Sequence, residues 1–150
     1  MSGINFGVQV PHRGPMTDPD CVRAIVTETE KLGYGTLIVS DHIVVPKDIS
    51  SRYPYSEEGS FPGQAGGECM EQLTLLAYVA ALTSKVKLLT SVMVVPHREP
   101  LLAAKSLATT DQLSGGRVIV GCGTGWMREE FEAIGAPDFD KRGEVTDDYI

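Results

Sequence analysis

Two periods of apolar and polar residues alternate along this chain, and each switch between them marks an element. Ile4, Phe6, Val8 and Val10 alternate with Asn5, Gly7 and Gln9, which predicts a strand ended by Pro11. Asp18-Pro19 offers an N-cap with proline in the first turn, and Val22, Ile25, Val26, Thr29 and Leu32 follow at helical spacing up to Gly33. The unbroken Thr-Leu-Ile-Val-Ser run from Thr36 to Ser40 predicts a strand buried on both faces, ending on Asp41-His42.

Residues 43–67 hold no sustained period and carry Tyr53-Pro54-Tyr55-Ser56, Phe61-Pro62-Gly63 and Gly66-Gly67, so a long loop insertion is expected there. Beyond it, Met70, Leu73, Leu76, Ala77, Ala80 and Ala81 predict a helix closing near Ser84. Val86 to Val95 predicts a third strand, closed by Pro96. A helix opens on Glu99-Pro100 and runs to Leu113, where Ser114-Gly115-Gly116 stops it. Arg117 to Val120 predicts a fourth strand, and after a glycine-rich turn Trp126 to Ile134 and Arg142 to Ile150 predict two more helical segments.

The order β-α-β-α-β-α-β-α predicts an α/β chain with a parallel sheet wrapped by helices. Two architectures meet that order. A doubly wound sheet can be complete in this length, whereas a (β/α)8 barrel typically takes about 250 residues and is only half present here. Both place ligands at the C-terminal ends of the strands, where Asp41-His42, the stretch from Val92 to His97 and the glycine turn fall.

Composition narrows the function classes. The chain has 150 residues, 42% hydrophobic and 22% charged, consistent with one domain and one core. No apolar run approaches the roughly 18 residues of a membrane span, and no secretory core follows Met1. The net charge is −7 with scattered basic residues, so no footprint for nucleic acid is expected and polyanion binding is disfavoured. Cys21, Cys69 and Cys122 are odd in number and show no C-x-x-C spacing, which predicts reduced, inert thiols in a cytoplasmic protein and no metal site.

Gly121, Gly123 and Gly125 alternate across the last strand-to-helix turn. Such glycines bring bare backbone close to a ligand or simply allow tight packing, and both readings stand on the residues alone. The spacing is G-x-G-x-G, which is not the dinucleotide fingerprint, and no Walker-type Gly-Lys-Ser/Thr triplet occurs. Glu129 and Glu130 are adjacent on a helix, point in different directions, and read as a solvated face. His12 and His97 lack a comparable motif and read as structural or peripheral.

Read together, several stretches resemble one family. They are Ser40-Asp41-His42, Tyr53-Pro54-Tyr55-Ser56, Leu73-Thr74, Thr90-Ser91-Val92, Arg98-Glu99-Pro100 with Ala104-Lys105, Leu113 to Arg117, and Gly121-x-Gly-x-Gly-Trp126 with Glu129-Glu130-Phe131. The whole chain is similar to the N-terminal half of the luciferase-like monooxygenase superfamily, in particular its branch using the deazaflavin coenzyme F420. The resemblance implies a (β/α)8 TIM-barrel fold, with residues 1–150 supplying about four βα units, a loop insertion at about 43–67 and no second domain.

The resemblance also implies roles. Asp41 and His42 would sit beside the deazaflavin ring, His42 as proton donor or acceptor and Asp41 as its catalytic companion. Ser91 and Val92 would form a non-proline cis peptide in a bulge behind the ring. Gly123, Thr124 and Gly125 would line the cofactor pocket, with Tyr53, Tyr55 and Trp126 shaping the substrate side. Some sugar-phosphate dehydrogenases of the family carry a carboxylate where this chain has Trp126.

The function so implied is hydride transfer between F420 and a small organic substrate. One alternative is an FMN-dependent monooxygenase of the same superfamily. Another is a truncated half-barrel, inactive alone or working as an oligomer, because unpaired sheet edges and exposed apolar surface favour self-association.

Overall fold

Asp18 accepts hydrogen bonds from the backbone N–H groups of Asp20 and Cys21, with Pro19 in the first turn, so helix α1 (Pro19–Lys31) begins where the sequence predicts. The computed structural model describes residues 3–63 and 68–150; Gly66 and Gly67, part of the expected loop signal, lie outside the described residues. Strands β1 (Gly7–Gln9), β2 (Thr36–Val39), β3 (Lys87–Val94) and β4 (Val118–Gly123) pair in parallel in the order β1-β2-β3-β4. Helices α1, α2 (Gln72–Leu82) and α3 (Pro100–Ser114) form the crossovers, and α4 (Arg128–Ile134) and α5 (Arg142–Tyr149) follow β4. A doubly wound sheet reverses its strand order at a switch point, and this one does not. The sheet is the N-terminal half of a (β/α)8 barrel.

One face of the sheet holds the core. Val8, Val10, Leu37, Val39, Leu88 and Val118 point outward onto Val22 and Val26 of α1 and Leu75, Leu76 and Val79 of α2. On β2 the other face is only half-buried at Thr36 and Ile38, so the strand is not covered on both sides as its apolar run suggested. In α2 the buried stripe is Gln72, Leu75, Leu76, Val79 and Ala80, rotated from the one expected. The many alanines left its phase ambiguous, and Gln72 is buried for a polar task described below.

Two other expectations change. β1 covers only Gly7–Gln9, and Phe6 is 64% exposed, because β2 begins at Thr36 and offers nothing opposite Ile4. β4 runs past Val120 to Gly123, so two of the three alternating glycines lie in the strand.

The N-terminal ends of the strands are clamped by two charged side chains. Glu30 accepts the N–H groups of Ser84, Lys85 and Val86, tying α1 to the entry of β3. Arg117 is buried and donates to the carbonyls of Ala80, Thr83, Val86 and Ser114 and to the Thr83 hydroxyl. Two of these carbonyls, Ala80 and Thr83, stand at the C-terminal end of α2, where a helix leaves its last acceptors orphaned.

Candidate functional site

β3 and β4 lose register between Thr90 and Met93, and the Ser91–Val92 peptide inside that bulge is cis. The Thr90 hydroxyl bridges the break, donating to the Gly121 carbonyl at 3.1 Å and accepting its N–H at 3.0 Å. A Cβ on Gly121 would run into the Thr90 carbonyl, and one on Gly123 into the Val92 side chain. These glycines therefore serve close strand approach around the bulge, and only Gly125, at φ +82°, is a turn glycine in the left-handed region. Gln72 holds the bulge from behind, its amide donating to Val39 O at 2.8 Å and Val92 O at 3.3 Å.

Asp41, at the exit of β2, is closed off by a guanidinium. Arg98 Nη1 and Nη2 approach its two oxygens at 2.7 and 2.8 Å, and Val94 N–H donates to it at 2.8 Å. Arg98 also bonds Glu71 Oε1 at 2.6 Å. Burial opposes the charge on Arg98, but Asp41 and Glu71 outweigh it and raise its pKa. The expectation of Asp41 as a companion carboxylate to His42 is corrected in this respect: its oxygens fasten β2 to the end of β3.

The carboxylate on His42 comes instead from Glu130 in α4, with Nδ1 2.8 Å from Oε2. Glu130 Oε1 accepts the N–H groups of Ile43 at 2.7 Å and Val44 at 3.2 Å. Glu130 is 1% exposed, so the solvated-face reading is overturned. Burial would raise its pKa, yet the His42 hydrogen bond, the charges of His42 and His97 and the Ile43 N–H together hold it below the usual carboxylate value. Glu129 is also engaged, accepting the N–H and hydroxyl of Ser50 and the N–H of Ser51. The readable signal was that Glu130 lies on the stripe Met127, Phe131 and Ile134 at helical spacing, a buried face.

His97 is buried against Phe131, ring centroids 4.7 Å apart, and neither ring nitrogen has a hydrogen-bond partner among the described residues. Its pKa is lowered, chiefly by burial. His12 is buried too, its pKa lowered by burial and then by the charge of Arg13. Both border the cavity described next, so neither is peripheral.

Phe61 joins the two walls of the site. His42 packs on it at 5.1 Å between centroids, Tyr53 at 5.2 Å and Trp126 at 5.3 Å, with Tyr53 and Trp126 5.0 Å apart. Tyr55 meets the edge of Tyr53 and is otherwise 82% exposed. A cavity of about 830 Å³ opens between this aromatic wall and the bulge, at the C-terminal ends of the strands. Asp41, His42, Ser91 and Val92 border it, as do Gly123, Thr124 and Gly125, and Tyr53, Tyr55 and Trp126. Phe61, Glu130, His12, Arg13 and His97 also border it, and none of the five was expected there from the sequence.

The cavity suits a planar conjugated ring with a polar edge. Its size falls in the range of about 300–1,000 Å³ typical of small-molecule sites. Apolar surface from Val92, Trp126 and Phe61 lines it together with polar groups on Gln9, Ser40, Ser91 and Thr124, and the buried Arg13 Nη1 nitrogen has no hydrogen-bond partner among the described residues.

Sheet order and a cavity at the strand ends define this chain as half of a TIM-type barrel. The family model for luciferase-like monooxygenases matches residues 3–150, and the chain belongs to that family. An uncharacterized protein of Mycobacterium tuberculosis is 33% identical over 135 residues, covering 90% of this chain and 46% of that protein. The chain thus spans about half the length of the curated relatives it matches. An FMNH2-dependent dimethylsulfone monooxygenase of Pseudomonas putida is 39% identical over 82 residues, 53% of this chain and 22% of that protein. Among solved structures, an F420-dependent secondary alcohol dehydrogenase in complex with an F420–acetone adduct superposes with a TM-score of 0.70 at 19% identity, over 97% of this chain and 39% of that one. No helix among the described residues is long and apolar enough to cross a membrane.

Proposed function

We propose that this chain supplies the ring-binding face of an oxidoreductase in which coenzyme F420 and a small organic substrate exchange hydride, while His42 moves the accompanying proton. The observation that carries this reading is the His42–Glu130 pair at the edge of a cavity backed by the Ser91–Val92 bulge. A deazaflavin would supply two-electron hydride chemistry in place of oxygen activation, because carbon replaces the flavin N5. The chain's own part is orientation, exclusion of water and proton transfer.

In this reading Ser91 and Val92 back the ring, and Gly123, Thr124 and Gly125 let it approach the end of β4. Asp41 acts at one remove by holding Val94 N–H and Arg98, and so the end of the bulged strand. Tyr53 and Trp126 shield the substrate side. Histidine suits the proton step because its unperturbed pKa of about 6.5 allows exchange near neutral pH.

A second reading keeps the site and exchanges the cofactor for FMN, and the likeness to the dimethylsulfone monooxygenase favours it. Incubation with each cofactor followed by gel filtration separates the two. Co-elution of F420 absorbance with the protein is expected. Co-elution of FMN alone would replace the deazaflavin reading with the monooxygenase one. Assembly is a further part of the proposal: the outer edges of β1 and β4 have no strand partner among the described residues. A second copy or further strands of the barrel would complete them, and cytoplasmic residence fits the free cysteines.

A further inference from the structure

We infer that Glu130 is the positioning residue that fixes His42 with its proton on Nδ1 and its Nε2 lone pair free for the cavity. A carboxylate accepts hydrogen bonds and donates none, so at 2.8 Å from Glu130 Oε2 the His42 Nδ1 atom must carry hydrogen. In the neutral ring Nε2 is then the acceptor.

The carboxylate has no freedom to do otherwise. Its second oxygen is held by two backbone donors, Ile43 N–H and Val44 N–H, immediately after the histidine in sequence. The side chain is almost wholly buried, which removes competing solvent. His97 Nδ1, at 3.9 Å from Oε1, is beyond hydrogen-bond distance and does not compete. Glu129 fastens Ser50 and Ser51 to the same helix, so the whole stretch from His42 to Ser51 is tied to α4 at both ends. The orientation of the ring is set by a helix that follows it by 88 positions.

The orientation bears on catalysis through the reading of His42 as the proton-handling group, and the test separates the two. Ring-¹⁵N histidine NMR is recorded on the chain without cofactor, at alkaline pH, with a His42→Gln variant to assign the signals. The wild type is expected to show a protonated Nδ1 and an unprotonated Nε2 at His42. In Glu130→Gln the two backbone donors retain the amide oxygen, so the amide NH2 group faces Nδ1 and the tautomer reverses. Protonated Nε2 in the wild type, or the same tautomer in both proteins, overturns the inference. Should the variant fail to fold by circular dichroism, the wild-type tautomer alone decides.

In the cofactor-loaded enzyme Glu130→Gln should lower kcat about tenfold or more and alter its pH profile while leaving KM nearly unchanged. Tautomer reversal combined with a His42→Asn variant of undiminished turnover would sink the role of His42 and leave the positioning by Glu130 standing.

Discussion

At the residue scale the site rests on groups that are buried and paired. Replacing Glu130 by Ala leaves Ile43 N–H, Val44 N–H and His42 Nδ1 without their acceptor. A loss of about 1–3 kcal/mol in denaturant unfolding is expected, and an unchanged midpoint would show that these bonds contribute nothing. His42→Asn should fold normally yet lower turnover by about 10²–10⁴, as expected when a general acid or base is removed. Of these residues His42 was legible from its place after a strand, whereas Glu130 was not. Adjacent glutamates look like solvent-facing residues until one is placed on an apolar stripe, and no local pattern shows that its Oε1 accepts from backbone N–H groups 86 and 87 positions earlier. Asp41 was legible as a strand-end residue, but its pairing with Arg98 depends on where β3 ends in space.

At the element scale, the cap of α1 and the order of elements along the chain followed from short-range chemistry, while strand order in the sheet, register and helix phase did not. Asp18-Pro19 fixed the start of α1, but alternation could not tell that Ile4 and Phe6 lack a neighbouring strand. Nor could it tell that Gly121 and Gly123 belong to β4, since that requirement arises from Thr90 and Val92 on the facing strand. Gly125 differs: its φ of +82° and the nearness of a Cβ to Phe131 and Val94, 2.7 and 2.8 Å, leave no room for alanine. Gly125→Ala should destabilise by more than about 1 kcal/mol, measured by urea unfolding. Arg117→Met removes the donor to several buried carbonyls and should lower stability by about 2 kcal/mol or more in the same assay.

The clamp by Glu30 also sets a pH dependence. Slight burial would raise its pKa, but the N–H groups of Lys85, Val86 and Ser84 lower it from 4.5 to about 2. A depressed folded-state pKa stabilises above the unfolded value and is lost as pH falls through the folded one. Thermal midpoints should therefore fall between about pH 4.5 and 2, and Glu30→Gln should flatten part of that fall. A variant with the same acid profile as the wild type would remove Glu30 from the account.

At the scale of the whole molecule, the half-barrel presents an edge of β4 with no strand partner among the described residues, with Ile119 and Val120 at 45% and 43% exposure, and Phe6 beside β1. Apolar strand edges of this kind pair readily. Sedimentation velocity of this chain should show association rising with concentration, and a single monomeric species throughout would refute it. The central claim is that the cavity between the Ser91–Val92 bulge and the aromatic wall receives the cofactor ring. Thr124 borders the cavity, is exposed and contributes nothing to the core, so Thr124→Trp should fill the cavity without unfolding the chain. A fluorescence titration of F420 against both proteins tests the claim directly. Saturable binding by the wild type, lost in Thr124→Trp at unchanged thermal stability, is the predicted result; equal binding by both proteins, or none by the wild type, would contradict it.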